Sequence, residues 1–180
     1  MMLNKYVVLL RGINVGGKRK IKMADLKELL SIINYQNIST YIQSGNVILE
    51  TSESLEKLQT EITKTIHKNY GFKIPVIAVN TNLFTEILTL NPFLSKAETE
   101  QLHVTFLKEI PEKKLIENLK NKYNGQDEFK IIDKFIFIKC EGRYSASKLT
   151  NLFFEKHLKV ETTTRNWKTI IKLTELIQND

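Results

Sequence analysis

Apolar and polar positions follow an order along the first half of the chain that predicts alternating strands and helices. A short apolar run at Tyr6–Leu10 indicates a buried strand, and apolar residues at helical spacing follow it. Two β-rich runs then flank residues 44–46, Ser-Gly-Asn, which is typical of a tight hairpin turn. An amphipathic helix over 55–66 and the strand IPVIAV complete this half.

The second half repeats this order after a short helix at about 82–90 and a polar linker, LSKAETEQ. The elements predicted here are the strand LHVTFL, a helix that starts near Pro111, a hairpin turning near Asp133, a helix capped by Ser147 and carrying Leu149, Leu152 and Phe153, the strand VETTTRNW and a last helix. The order βαββαβ therefore occurs twice.

A split βαβ unit folds as a four-stranded antiparallel sheet with two helices on one face. We therefore predict an α+β fold of two tandem ferredoxin-like subdomains, each followed by an extra helix, over residues 1–92 and 101–180. Residue identity between the halves is weak, so the duplication rests on the order of elements. One larger mixed sheet built from the same elements is the alternative.

Composition narrows the class of protein without naming a reaction. The 180 residues are 42% hydrophobic and 26% charged, which is typical of a globular domain, and the net charge is +7. This basic excess permits contact with anions but is spread along the chain. Cys140 is the single cysteine, so no internal disulfide forms, and the first apolar run is too short for a signal peptide or a membrane span. We expect a cytoplasmic protein with no membrane partner.

The stretch LLRGINVGGKRKIKM contains the candidate chemistry, because a glycine-rich segment is followed by Lys18, Arg19, Lys20 and Lys22. In a ferredoxin-like sheet the end of the first strand and the turn between the second and third strands share one edge. The N-terminus of the first helix points at the same place and favours anions. We therefore expect one anion site to bring together Arg11, Asn14, Lys18, Arg19, Lys20, Gln43, Ser44 and Asn46. Tyr41, the one aromatic residue of the first hairpin, is added to the predicted ligand-binding residues.

Each of these residue types has a predicted role at such a site. Arg11, Lys18 and Lys20 would neutralise charge, Gly16 and Gly17 would let backbone N–H groups approach the ligand, and Asn14, Gln43 and Asn46 would supply directional hydrogen bonds. The spacing matches neither the P-loop nor the dinucleotide-binding glycine motif. A basic turn, in which the glycines only turn the chain and the cations are only solvated, is therefore the alternative.

A second candidate segment, TTTRNWKT, holds the single tryptophan of the chain. Arg165, Asn166 and Trp167 could together clamp an anion or stack a base. The alternative is that Trp167 packs under the last helix while Arg165 is solvated. His67, His103 and His157 lie in different elements without ligands at metal spacing, so we predict no metal site and no cofactor.

Several motifs together closely resemble those of the bacterial family called domain of unknown function 1697. They are LLRGINVGGKRKIKMADLKELL, TYIQSGNVIL, NPF and GRYSASKLTNLFFEKHL with TTTRNWKTIIKL, in the same order over nearly the whole chain. The resemblance implies two ferredoxin-like subdomains and brings no catalytic residues, since the function of the family is unassigned. It implies recurrent polar motifs at Arg11, Gly12, Asn14, Gly16, Gly17, Lys20, Tyr41, Gln43, Ser44, Gly45, Asn46, Ser147, Lys148, Asn151, Arg165, Asn166 and Trp167.

The sequence thus predicts a binding module for a phosphate-bearing small molecule or nucleotide at the glycine-rich basic loop. A nucleic-acid-associated protein that uses the same cations along a phosphate backbone is the first alternative. A structural or interaction protein, in which the motifs serve folding, is the second. No catalytic residue is predicted, and an enzymatic activity is left open.

Overall fold

The computed structural model describes residues 3–179, and within them each half folds as the sequence predicts. The elements of the first half are β1 (Asn4–Leu10), α1 (Met23–Ile32), β2 (Gln36–Tyr41), β3 (Asn46–Thr51), α2 (Leu55–Tyr70), β4 (Val76–Asn80) and α3 (Thr81–Leu90). Those of the second half are β5 (Leu102–Leu107), α4 (Lys113–Leu119), β6 (Glu128–Ile132), β7 (Phe135–Lys139), α5 (Asn151–Leu158), β8 (Thr162–Asn166) and α6 (Trp167–Asn179).

Two separate four-stranded antiparallel sheets form, in the orders β2-β3-β1-β4 and β6-β7-β5-β8. In the first sheet Val8 lies between Val47 of β3 and Ala78 of β4, and in the second Thr105 lies between Ile136 of β7 and Thr164 of β8. This is the strand order of the ferredoxin-like fold, so the predicted α+β class with two tandem ferredoxin-like subdomains is confirmed. The alternative of one larger mixed sheet is wrong.

The chain divides into two compact units. One holds the described residues up to Thr85 together with those from Leu176 onwards, and the other is Glu86–Glu175. The ranges 1–92 and 101–180 given to the two subdomains remain a prediction. No helix within residues 3–179 is long and apolar enough to cross a membrane.

The core of the first unit lies between one face of its sheet and the helices α1 and α2. Val8 and Val47 of the sheet, Leu26 of α1, and Leu58 and Ile62 of α2 are completely buried in it. Burying each of these side chains contributes about 1.5–3 kcal/mol relative to leaving it exposed. This core fixes the sheet edge at which β1 ends and β4 begins.

The core of the second unit is richer in aromatic side chains. Phe129 packs edge to face against Tyr123 at 5.9 Å and against Phe154 at 6.0 Å between ring centroids. Residues 135–138 of β7 are buried without interruption, so side chains on both faces of this strand are covered. Such offset aromatic pairs contribute about 0.5–1.5 kcal/mol beyond their buried area.

The ends of two helices show where sequence signals for capping succeed and where one fails. The Ser54 hydroxyl accepts a hydrogen bond from the backbone N–H of Lys57 at 3.3 Å, so Ser54 rather than the nearby Ser52 caps α2. The predicted cap of the next amphipathic helix, Ser147, is wrong. Thr150 caps α5 instead, because a 3-10 turn at Tyr144–Ala146 delays the helix, which places Leu149 before α5.

Candidate functional site

Residues 11–22 join β1 to α1, and we call them the basic loop. Within this loop residues 14–19 form a small hairpin, which we call the basic hairpin. Val15 pairs with Lys18 across Gly16 and Gly17, whose φ angles are 57° and 74°. Two successive positive φ values are those of a type I′ turn, which glycine adopts without strain. The N–H of Asn14 donates to the carbonyl oxygen of Arg19 at 3.2 Å and closes the hairpin.

Gly16 and Gly17 therefore turn the chain, as the alternative interpretation holds. A methyl group placed on either residue would meet no atom within 4 Å, so there is open space beside both glycines. Their predicted role in letting backbone N–H groups approach a ligand is compatible with this open space and remains a prediction.

The side chain of Asn14 fixes the loop from inside. Its Nδ2 donates to the carbonyl oxygens of Ile21 and Gln43, each at 2.8 Å, and its Oδ1 accepts from the N–H of Ile21 at 2.9 Å. Asn14 itself has φ 56°, a left-handed conformation that asparagine tolerates better than most residues. Because the Asn14 amide hydrogen-bonds to backbone groups of both the loop and the β2–β3 turn, it holds the basic hairpin against that turn.

The β2–β3 turn approaches the end of β1 so closely that only glycine fits at position 45. The N–H of Leu10 donates to the carbonyl oxygen of Gly45 at 2.8 Å. A Cβ on Gly45 would lie 2.8 Å from both the Cβ of Leu10 and the Cδ1 of Ile13. The predicted proximity of the loop to this turn is confirmed.

Asn46 shapes the same turn from a fully buried position. Its Nδ2 donates to the carbonyl oxygen of Tyr41 at 3.0 Å and to the hydroxyl of Ser44 at 2.9 Å. Asn46 therefore contacts two other predicted site residues, while the neighbouring Gln43 side chain is exposed. A ligand at this edge would meet Gln43 before it met Asn46.

The four cations of the loop, Lys18, Arg19, Lys20 and Lys22, are all exposed. Within residues 3–179 none of them forms an ion pair. Many lysines elsewhere are paired, as Lys57 is with Glu53 at 2.8 Å and Lys139 with Glu128 at 2.8 Å. The basic loop is therefore a concentration of positive charge that no acidic side chain neutralises.

A pocket of about 350 Å³ lies beside the hairpin and is lined by Asn14, Gly17, Lys20, Ile21, Lys22 and Gln43. The helix α1 starts directly after Lys22, and no side chain caps its first turn. Its free N–H groups add to the positive potential of this edge. The sequence prediction placed Lys20, Asn14 and Gln43 here but missed Lys22, whose position just before the helix start was the available signal.

The second predicted segment lies in the other unit, and each of its three residues has a structural role there. Arg165 is only 9% exposed; its Nη1 donates to the hydroxyl of Thr163 and the carbonyl oxygen of Thr164, each at 3.0 Å. Burial lowers its pKa to about 10. The alternative in which Arg165 is solvated is wrong.

Asn166 and Trp167 begin the last helix. The side-chain oxygen of Asn166 accepts from the N–H of Thr169 at 2.8 Å, and Trp167 is buried as the first residue of α6. This hydrogen bond satisfies one of the free donors of the first turn. A role for Arg165, Asn166 and Trp167 in ligand binding stays a prediction, and the geometry of this unit gives them structural functions.

Sequence reasoning also missed a polar network that joins β8 to α5. The Asn151 side-chain oxygen accepts from the hydroxyls of Thr162 at 3.0 Å and Thr164 at 2.9 Å. The ring of His103 stacks on Tyr144 at 4.4 Å between centroids, and burial lowers the pKa of this histidine. These groups satisfy one another inside the unit, so they act in folding.

Comparisons with known proteins agree with this fold. A family model described as "Protein of unknown function (DUF1697)" matches residues 3–137. The solved structure of a conserved bacterial protein from Streptococcus pneumoniae is similar to this chain, with a TM-score of 0.74 and 26% sequence identity. That likeness covers 97% of this chain and 98% of the other. No curated protein matches the sequence.

Proposed function

We propose a function for this chain, which belongs to the DUF1697 family of proteins of unknown function: it binds a phosphate-bearing small molecule or nucleotide at the basic loop. One observation carries the proposal. Lys18, Arg19, Lys20 and Lys22 are exposed on a loop of fixed conformation, and no acidic side chain within residues 3–179 pairs with them.

The electrostatics of the loop favour an anionic ligand. Four like charges within five residues repel one another, and the loop cannot relax because Asn14 and the close contact at Gly45 hold it. A bound phosphate would relieve this repulsion and would gain charge-assisted hydrogen bonds from lysine and arginine. The fixed loop loses little conformational freedom on binding, which favours affinity.

The pocket beside the basic hairpin indicates which side chains would contact the proposed ligand. Lys20, Lys22 and Gln43 line it, and its volume of about 350 Å³ is that of a small-molecule site. In the proposal Lys20 and Lys22 bind phosphate oxygens, Gln43 donates a directional hydrogen bond, and Lys18 with Arg19 neutralises charge at the rim. Asn14 and Asn46 hold the loop and the turn rather than the ligand.

One observation favours nucleic acid as a second candidate ligand. Lys18 and Arg19 are exposed on the hairpin but do not line the pocket, so a longer polyanion could contact them together with Lys20. Binding of that kind releases counterions and weakens steeply as salt rises. The two candidates therefore differ in salt dependence and in selectivity.

We also propose that the protein is cytoplasmic. The support is Cys140, the one cysteine, which is buried and free, and burial raises the pKa of its thiol to about 11. A chain of this composition needs no oxidising compartment for folding.

We expect ligand-dependent stabilisation that disappears when the loop loses two charges. A ligand present at about 100 times its Kd raises the free energy of unfolding by about 2.7 kcal/mol, which moves the midpoint of thermal unfolding by roughly 5–10 °C. Thermal unfolding is measured with inorganic phosphate, nucleotides, sugar phosphates and short single- and double-stranded oligonucleotides, at low and high salt. The Lys18→Ala/Lys20→Ala variant should show no shift.

The control for charge removal is the Lys57→Ala/Lys64→Ala variant, which removes two lysines of α2 in the same unit. It should keep the full shift. A shift with one compound that persists at high salt supports the small-molecule site, whereas a shift with every oligonucleotide that vanishes in salt supports nucleic acid. An equal shift in both double variants, or none with any compound, contradicts the proposal and leaves the loop a basic turn.

A further inference from the structure

The second unit contains a pocket of its own, formed by two loops at one end of its sheet. One loop precedes β6 and the other follows β7, and the cavity between them has a volume of about 340 Å³. This volume is within the range of small-molecule sites. The polar residues that line it include Asn124, Asp127, Glu141, Arg143, Ser147 and Lys148.

A carboxylate clamp holds the two walls of this pocket together. Asp127 Oδ1 accepts from the N–H of Glu141 at 2.9 Å, and Asp127 Oδ2 accepts from the hydroxyl of Ser147 at 2.5 Å. The Ser147 oxygen in turn accepts from the N–H of Leu149 at 3.0 Å. The pocket is therefore formed before any ligand arrives, which lowers the entropic cost of binding.

The two cationic side chains that line the pocket, Arg143 and Lys148, have N–H donors available for a ligand. Arg143 is exposed and has no ion pair in the part of the chain that the structure covers. Lys148 donates to the side-chain oxygen of Asn124 at 3.2 Å, an uncharged partner that leaves its charge unneutralised. A guanidinium with free N–H groups binds a carboxylate through two parallel hydrogen bonds.

The acids of the lining distinguish between anionic ligands. One cation, Lys139, is shared between Glu128 at 2.8 Å and Glu141 at 3.1 Å, so it does not neutralise both carboxylates. Asp127 lies at the base of the clamp. A phosphate dianion would meet the carboxylates of Glu141 and Asp127 and be repelled. A zwitterion avoids this conflict, because its carboxylate can face Arg143 while its ammonium group faces the acids.

We infer that this pocket binds a free α-amino acid, with the ligand carboxylate on Arg143 and Lys148 and the ligand ammonium on Asp127 and Glu141. The inference does not depend on the proposed phosphate site, because every residue that lines this pocket belongs to the second unit and none belongs to the basic loop. The two sites therefore bind different classes of ligand, and different substitutions remove binding at each of them.

Isothermal titration calorimetry with each of the common L-amino acids tests the inference. We expect saturable binding of at least one of them, and an Arg143→Ala variant should bind it about tenfold more weakly, while Arg143→Lys should recover part of the affinity. The N-acetyl derivative, which lacks the ammonium charge, and the methyl ester, which lacks the carboxylate, should each bind at least about tenfold more weakly. Inorganic phosphate should not compete.

A matched control is Lys130→Ala, which removes an exposed cation from β6 outside the pocket lining and should leave the affinity unchanged. Three results would each overturn the inference. These are no heat with any amino acid, equal binding of the N-acetyl derivative, and unchanged affinity in a folded Arg143→Ala variant. Loss of phosphate binding in the basic-loop variant would not affect any of them.

Discussion

Replacing Gly45 with alanine is expected to lower the free energy of unfolding by about 3 kcal/mol, the largest effect of any single change at the candidate site. Gly45 has φ 80°, and a left-handed conformation costs an alanine about 1–2 kcal/mol. The new Cβ would also lie 2.8 Å from Leu10 and Ile13, and forcing atoms into a packed core costs about 1–3 kcal/mol more.

Urea denaturation and thermal unfolding both measure this loss, and we expect the thermal midpoint to fall by roughly 6–12 °C. The control is Gly16→Ala, which introduces the same strain at φ 57° but meets no atom within 4 Å. It should cost only about 1–2 kcal/mol. If the two variants were equally stable, the close contact between the turn and the end of β1 would contribute nothing.

The second large effect is expected from Asn14→Ala, which should lower the free energy of unfolding by about 2–3 kcal/mol. The substitution removes three hydrogen bonds, each contributing about 0.5–1.5 kcal/mol, and places alanine at φ 56°. The loop would then lose its attachment to Gln43. We therefore expect phosphate binding to weaken as well, although every cation is still present.

An Asn14→Gly variant separates the two causes, because glycine removes the side chain without left-handed strain. Its free energy of unfolding should lie about 1 kcal/mol above that of Asn14→Ala and still well below that of the wild type. Chemical denaturation of the three proteins under one set of conditions provides the comparison. A fully stable Asn14→Gly variant would show that the amide of Asn14 does not hold the loop.

Much of the fold follows from local patterns in the sequence. The hairpins are predictable because Gly45 and Asp133 occupy positive φ angles at the turns between β-rich runs. The choice of Thr150 as the cap of α5 was not predictable, because Ser147 and Thr150 are both good caps in a polar stretch. The choice depends on Asp127, far away in sequence, which engages the Ser147 hydroxyl.

The candidate site was predictable in position but less so in detail. The strand order alone brings the basic loop to the β2–β3 turn, which is why the sequence predicts that Gln43 and Lys20 lie near each other, as they do in the lining of one pocket. The occupation of the Asn14 amide by Ile21 and Gln43 depends on the exact path of the loop. The burial of Arg165 likewise depends on tertiary packing, which no local pattern encodes.

NMR spectroscopy shows residue by residue whether a phosphate-bearing ligand binds at the basic loop. Two-dimensional ¹H–¹⁵N NMR spectra of the labelled full chain are recorded during titration with inorganic phosphate and with a nucleoside triphosphate. We expect saturable shifts of the amide signals of residues 14–22 and 43–46, because these surround the pocket and the first turn of α1. If the signals of these residues stay fixed with both ligands, the result contradicts binding at the basic loop, whether or not signals of other residues move.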